Sequence, residues 1–318
     1  MRSLITVQRG LSLIELMIGL LLSSLLLLGV LQIFQSNSDT LKAQNEFSRV
    51  QESGRFAIDM LSREIRQADY WGCATGASEK FLEILLDTTD RFLNNIGSNG
   101  ILGSDNVASG FKVGDREVVA GTDTLILSGA MDICGGAGRA FDGQNSGDVV
   151  VSGNCPVAAG AIVLATNCLS GSVFTVTGTN ELATGGRRLQ YESGEKGEGW
   201  VQNKSDSLKA EYGADASILS PYQKTYFISE GGVPGSHSLF VKGWNNPVQE
   251  LVPGIEDMQL SYGLDTTGNG VINQWQPASA QEATMAQVIA VKLRLRVTSG
   301  DLRKLYISTV KVRNRGSM

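Results

Sequence analysis

Residues 11 to 34 form a predominantly apolar run whose only charged residue is Glu15, and this run constrains the chain more than any other feature. The run consists almost entirely of Leu, Ile, Met, Ser and Gly, and about 20 such residues suffice for a helix to cross a bilayer. No second run of this length follows. Because Arg2 and Arg9 precede the run, the positive-inside rule predicts a single-pass protein with a cytoplasmic N-terminus. The bulk of the chain would then lie outside the cytoplasm.

A cleaved secretory signal peptide is the alternative interpretation of this run. Such a peptide has an apolar region of about 7–15 residues that ends in a small-residue cleavage site. The run here is longer, contains a carboxylate and is not followed by an Ala-x-Ala pattern. These features favour a membrane-spanning helix.

Glu15 requires a specific explanation, because an ionised carboxylate inside hydrocarbon costs several kcal/mol unless it has a partner. If the chain were cut after Gly10, Leu11 would carry a free α-amino group four residues before Glu15. That ammonium group could pair with the carboxylate of a neighbouring subunit. Buried charge pairs are best attested in fixing register, so such a pair would set the axial stagger between helices.

The segment RGLSLIEL, residues 9–16, resembles the processing site of prepilins. A basic leader ending in Gly10 precedes an apolar residue and then Glu15, although Leu11 stands where that family most often has Phe. The resemblance implies a leader over residues 1–10 and cleavage between Gly10 and Leu11 by a membrane prepilin peptidase. It also implies N-methylation of Leu11 and docking of Glu15 on another subunit.

The chain stays compatible with a helix beyond the apolar run, since the first proline is Pro156. The spacing of apolar residues predicts an amphipathic continuation over residues 35–70, ending near Tyr70, where Gly72 follows. Its predicted buried stripe consists of Phe47, Val50, Gly54, Ala57, Ile58, Leu61, Ile65 and Ala68.

Short apolar or alternating runs bounded by Gly, Ser and Asn predict β-strands in the remaining residues, 71–318. The predicted strands cover 122–128, 161–166, 172–178, 224–229, 238–243 and the alternating segment 287–300. A turn at Ser299–Gly300–Asp301 predicts a hairpin between 287–300 and the strand after it. The Gly-rich or polar segments 93–114, 129–160 and 193–218 are predicted to be long surface loops.

Two further segments resemble the PilW-type large minor pilins of type IV pili. They are FAIDMLSREIRQADYWGC at the helix end and ELVPGIEDMQLSYGLDTTGNG together with the last two strands. The resemblance covers the first 73 residues and about the last 70. It implies an α+β, pilin-like fold, in which one long N-terminal helix packs on an antiparallel, extracytoplasmic β-sheet domain.

Four cysteines, Cys73, Cys134, Cys155 and Cys168, follow the helix. Outside the cytoplasm such thiols form disulfides, and their spacing fits no Cys-x-x-Cys metal motif. Four thiols allow three connectivities. We favour Cys155–Cys168, which closes a loop between strands, and Cys73–Cys134, which ties the helix end to the domain.

The segment DTTGNGVINQW resembles the start of a calcium-binding loop, with Asp265, Thr267 and Asn269 at alternate positions. It has only one carboxylate, however, and Gln276 stands where a bidentate Glu would close the loop. A Gly-rich turn is therefore favoured, no cofactor is predicted, and calcium would bind only weakly.

Other classes of function find little support. A net charge of −5 gives no indication of nucleic-acid binding. The single histidine, His237, is predicted in a loop, no G-x-S-x-G elbow is present, and CGGAGRAFDG lacks the Lys and Ser/Thr of a phosphate-binding loop. The sequence does not predict an enzyme.

The favoured hypothesis is a minor pilin of the inner membrane that takes part in priming pilus assembly near the pilus tip. Its expected partners are the prepilin peptidase, other minor pilins, the major pilin and the inner-membrane assembly platform. After assembly it would be extracellular. The alternatives are a pseudopilin of a type II secretion system and an adhesive, ligand-binding tip module that uses the 93–218 loops.

Overall fold

The computed structural model describes residues 12–72, 82–94, 96–97, 100–135, 143–145, 148–151, 155–167, 169–183, 185–194, 197–208, 210–213, 215–278 and 282–315. Its dominant element is helix α1, Leu13–Gln67, which contains 55 residues. This helix is long and apolar enough to cross a membrane. It ends three residues earlier than predicted, because Ala68 has an extended backbone and Asp69 adopts a φ of 61°.

The distal half of α1 packs on the β-domain through a continuous stripe of side chains. The stripe residues Val50, Gly54, Ala57, Leu61 and Ile65 are buried, as the apolar spacing predicts. Phe47 differs from the prediction, since half of its side chain remains exposed beside Lys304.

Gly54 allows the closest approach between α1 and the sheet. A Cβ atom at this position would lie 2.2 Å from the ring of Tyr306. The hydroxyl group of Tyr306 donates a hydrogen bond of 3.1 Å to the carbonyl oxygen of Val50, one turn earlier. The tyrosine ring therefore lies directly on the helix backbone.

In the part of the chain that the structure describes, two short helices, α2 (Arg91–Asn94) and α3 (Glu282–Met285), accompany twenty strands. The strands are β1 (Leu82–Ile84), β2 (Leu86–Asp87), β3 (Ile101–Ser104), β4 (Lys112–Val113), β5 (Arg116–Glu117), β6 (Thr124–Asp132), β7 (Gly143–Asn145), β8 (Asp148–Val151), β9 (Ile162–Thr166), β10 (Gly171–Thr175), β11 (Gly178–Glu181), β12 (Arg187–Gln190), β13 (Gln202–Asn203), β14 (Ser217–Glu230), β15 (His237–Gly243), β16 (Val248–Pro253), β17 (Ile255–Leu264), β18 (Gln274–Gln276), β19 (Val288–Ser299) and β20 (Leu302–Lys311).

Two sheets form the body of the domain. The C-terminal sheet is antiparallel, with the order β18-β17-β19-β20, and β19 and β20 form the predicted hairpin. The largest sheet has eight strands: β1-β10-β9-β14-β15-β16, with β6 on β14 and β3 on β6. Its β1–β10 pair is parallel, whereas its other pairs are antiparallel. This long helix on a mostly antiparallel β-domain confirms the predicted α+β fold.

The main core lies between α1 and these two sheets. Alternate residues of β19, namely Val291, Leu293, Leu295 and Val297, are fully buried there, as their spacing predicts. A second core forms around β8–β10 and β12 and includes Val149 and Val151. The segment 129–160 is therefore not only a surface loop, because β7 and β8 lie within it and β8 supplies these two valines.

Candidate assembly interface

Glu15 lies in the first turn of α1, three residues after Ser12, the N-cap residue of the helix. The backbone amides of Glu15 and Leu16 both donate to the carbonyl oxygen of Ser12, at 3.0 and 3.1 Å. The helix N-terminus carries a partial positive charge, so a carboxylate is favourable at this end of the helix. Within the described residues, no Lys or Arg side chain forms an ion pair with Glu15.

The surroundings of Glu15 are apolar and open. Leu13, Leu16 and Ile18 are 77%, 55% and 55% exposed, and every large apolar side chain from there to Phe34 is likewise exposed. No residue of α1 before Val50 is buried, and the helix first reaches the domain at Glu46, so about 50 Å of helix projects from the domain at 1.5 Å per residue. Such a surface requires lipid or other helices to cover it.

Gly10 and Leu11, the predicted cleavage and methylation site, lie outside the described residues. Their roles therefore stay predictions. Among the described residues, Glu15 lies in the first turn of the helix, next to the predicted site.

The other end of α1 is locked by a buried ion pair that sequence reasoning missed. The Asp69 carboxylate is 3% exposed and accepts a hydrogen bond from Nε of Arg315, which is 7% exposed. Asp69 also accepts from the Trp71 indole at 2.9 Å and from the Gly100 amide at 3.0 Å. Arg315 donates in addition to the carbonyl oxygens of Met285 and Val288. No local pattern near either residue indicates this pair, because they are 246 positions apart.

The residues just before Arg315 satisfy the last carbonyl groups of α1. The side-chain amide of Asn314 donates to the carbonyl oxygens of Gln67 and Ala68, and the Arg313 amide donates to that of Arg66. The end of a helix leaves such carbonyls without partners inside the helix. The C-terminal segment therefore fixes the direction in which α1 leaves the domain.

The structure contains a disulfide between Cys134 and Cys155, whose Cα atoms are 4.4 Å apart. Both predicted pairings, Cys73–Cys134 and Cys155–Cys168, are therefore wrong. Cys134 follows β6, where Asp132 accepts hydrogen bonds from the Cys134 and Gly135 amides and turns the chain. The segment after β8 reaches the same place, because Arg187 of β12 binds the Cys155 carbonyl at 3.1 Å. Only this tertiary arrangement selects the pair.

Cys73 and Cys168 lie outside the described residues, and a Cys134–Cys155 bond leaves only these two thiols to pair with each other. Their described neighbours are close, since a Cβ on Gly72 would lie 2.5 Å from Cγ2 of Thr166. We predict that non-reducing peptide mapping finds Cys134–Cys155 and Cys73–Cys168. Replacing Cys134 and Cys155 by Ser should lower the free energy of unfolding by about 3 kcal/mol, through the 21-residue separation they bridge. A Cys73–Cys134 peptide would contradict this connectivity.

The Asp265 loop already has donors for its single carboxylate. One oxygen accepts from the amides of Thr267, Gly268 and Asn269 and from the Thr267 hydroxyl, at 2.7 to 3.2 Å. The other oxygen accepts from the Gly270 amide at 2.6 Å. Desolvation acts to raise the pKa of Asp265, but the hydrogen bonds from Gly270, Asn269, Gly268 and Thr267 outweigh it and lower the pKa. The loop closes on its own backbone amides.

We predict that this loop does not bind calcium tightly. A calcium ion would have to displace amide donors from Asp265, and Thr267 and Asn269 add no charge. Thermal melting of the full chain in detergent should show no shift at micromolar calcium; binding, if any, would fall in the 10⁻⁴–10⁻³ M range of weak extracellular sites. A large stabilisation at micromolar calcium that disappears in Asp265→Ala would contradict this prediction.

His237 begins β15 rather than lying in a loop, opposite Glu230 of β14. Its side chain is partly exposed.

Comparison with known proteins gives one match. Residues 225–313 match the family model of type IV pilus-assembly protein W. No curated protein and no solved structure matches the chain significantly. The matched segment runs from β14 to the residues that close α1, and thus covers the C-terminal sheet on which the helix packs. Over residues 225–313 the chain is therefore similar to type IV pilus-assembly protein W, as the resemblance of its last strands predicts, whereas the match does not extend to the first 73 residues.

Proposed function

We propose that the protein is a minor pilin that is incorporated near the tip of a type IV pilus and helps to prime its assembly. The observation that carries this proposal is the combination of a C-terminal sheet that matches the PilW family model with a protruding apolar helix that has a glutamate, Glu15, in its first turn. A helix of this kind can reside in the inner membrane as a monomer and in a filament core after assembly. No enzymatic step is required of the chain itself.

Processing and docking follow from the same proposal. The prepilin peptidase cleaves between Gly10 and Leu11, Leu11 becomes N-methylated, and Glu15 pairs with the terminal ammonium group of a neighbouring pilin. Such a pair compensates two charges that hydrocarbon would otherwise penalise. The bulk of the domain supports a place at the filament end, because a head of this size on every subunit would crowd a helical shaft.

The experiment is a deletion with complementation in the organism that encodes the chain. Loss of the protein should sharply reduce surface pili, and the complementing protein should appear in sheared pili at low copy number. If pilus number is unchanged while secretion of a substrate protein fails, the chain acts instead as a pseudopilin of a secretion system.

A further inference from the structure

We propose that an open cleft at the C-terminal end of α1 binds an acidic peptide segment of a neighbouring pilus subunit. The inference rests on the proposed function, which supplies the neighbour. The cleft has a volume of about 620 Å³ and lies between the end of α1, the end of β6, the start of β14 and the C-terminal segment. Three arginines line it: Arg63, Arg66 and Arg313.

Among the residues that the structure describes, these three guanidinium groups have no anionic partner. All are exposed, and none forms an ion pair with a described carboxylate. The side-chain Nε of Arg63 donates only to the main-chain oxygen of Asp59, at 3.3 Å. In a chain of net charge −5, three uncompensated cations that converge on one concavity form a local exception. A cleft focuses their field, so it attracts anions more strongly than a flat surface would.

The nearby carboxylates are already engaged elsewhere. Glu64 binds Nζ of Lys224 at 2.8 Å, and Asp69 binds the buried Arg315. Asp132 is the one carboxylate in the lining, and one of its oxygens accepts from the Cys134 and Gly135 amides. With three arginines against one aspartate, the described lining of the cleft keeps a net positive charge.

The wall of the cleft also offers apolar contact. Tyr70 is 39% exposed and Met131 is 54% exposed. Met131 and Tyr222 also line a second cleft of about 380 Å³. Phe92 and Trp244 line the same cleft, and their ring centroids are 5.6 Å apart. The two clefts thus meet at Met131 and Tyr222, and the joint groove suits an extended segment that carries both carboxylate and apolar side chains.

The second cleft lies where one edge of β14 has no partner strand in the large sheet. On one edge β14 pairs with β9 up to Leu219 and with β15 from Lys224 onward, while its other edge pairs with β6 from Leu219 to Tyr226. Pro221 lies in this gap, where the N–H group that it lacks is not needed for the sheet. On this edge the Gln223 carbonyl oxygen accepts from the Trp244 amide at 2.9 Å and Pro221 has no N–H group, so the groove offers a bound segment side-chain contacts rather than strand pairing.

The position of the cleft selects a protein rather than a membrane as the anionic partner. It adjoins Gln67, about 50 Å along α1 from Phe34, the last residue of the apolar run, at 1.5 Å per residue. Lipid headgroups next to that run are too distant. Arg–carboxylate pairs also have the fork geometry that makes arginine preferred for binding acidic side chains.

The test uses the full chain in pilus-forming cells, with a photo-crosslinking amino acid at Met131 and, as a control, at Val233, which is 68% exposed outside the cleft. The Met131 probe should crosslink to a pilin subunit within a segment rich in Asp or Glu. Arg66→Glu with Arg313→Glu should reduce this adduct at least tenfold, and Arg66→Lys with Arg313→Lys should retain most of it. Lys112→Glu with Arg294→Glu makes the same charge change at exposed sites outside the cleft and should leave the adduct unchanged.

Immunoblotting establishes that each variant accumulates; if the charge reversal does not, Arg66→Gln with Arg313→Gln replaces it. An adduct that survives loss of the arginine charges, or that maps to a segment without carboxylates, overturns the inference, as does the absence of a Met131 adduct. The two proposals can fail separately. If deletion of the chain leaves pilus number unchanged, the proposed function fails and this inference with it. If deletion abolishes pili while the charge-reversed variant assembles and crosslinks normally, only the cleft inference fails.

Discussion

Arg315→Met should lower the free energy of unfolding by about 3–5 kcal/mol, the cost typical of leaving one partner of a buried ion pair without its counter-charge. The substitution keeps most of the side-chain volume but leaves the Asp69 carboxylate with only the Trp71 and Gly100 donors. It also removes the donors to the Met285 and Val288 carbonyl oxygens. Thermal and urea unfolding of the full chain in detergent measure the change.

Arg303→Met is the matched control for Arg315→Met. Arg303 also pairs with a carboxylate, that of Glu256 at 3.6 Å, but its side chain is 69% exposed. Exposed pairs contribute at most about 1 kcal/mol, so this variant should unfold nearly like the wild type. In the double variant Asp69→Asn with Arg315→Met, the uncompensated charge is gone and part of the loss should be recovered. Equal effects of Arg303→Met and Arg315→Met would show that the buried pair does not lock the helix to the domain.

Glu15→Ala should leave the protein in the membrane but reduce its incorporation into pili at least tenfold. Removing a carboxylate from an apolar segment lowers the cost of membrane residence, whereas the neighbour's ammonium group would be left unpaired in the filament core. A loss of only 1.4 kcal/mol in docking already corresponds to a factor of ten. The measurement is the ratio of the protein in sheared pili to that in the inner membrane.

Ser24→Ala is the control within the same segment. The Ser24 hydroxyl donates to the Leu21 carbonyl of its own helix, at 2.8 Å, so this substitution removes a hydrogen bond within the helix and no charge. This variant should be incorporated normally. Normal incorporation of Glu15→Ala would refute the docking role of the carboxylate.

The parts of the fold that could be predicted are those in which apolar residues recur at a regular spacing along the chain. Val50, Gly54, Ala57, Leu61 and Ile65 follow the helical repeat and are buried against the sheet. The residues of β19 follow the two-residue period of a strand with one buried face, and Gly300, with a φ of 57°, makes the turn to β20. In both cases the pattern along the chain is sufficient, because each element uses only one face for the core.

The parts that could not be predicted depend on contacts between distant segments. The Cys134–Cys155 pair follows from where β6 ends relative to β8 and β12, and spacing alone does not contain that information. The Asp69–Arg315 pair is likewise invisible locally, because an arginine near a chain end resembles any solvated cation until its tertiary surroundings are known. The middle of the chain, with its short strands and Gly-rich connections, has no long period from which its topology could be read.

The mature N-terminus is the most direct test of the central claim that this chain is a processed pilin. Mass spectrometry of protein purified from cells that contain the prepilin peptidase should find a chain that begins at an N-methylated Leu11. A variant in which a bulky residue replaces Gly10 should accumulate as the uncleaved precursor. A wild-type protein that keeps Met1 in those cells, or that is cut well after Glu15 like a secretory signal peptide, would contradict the account.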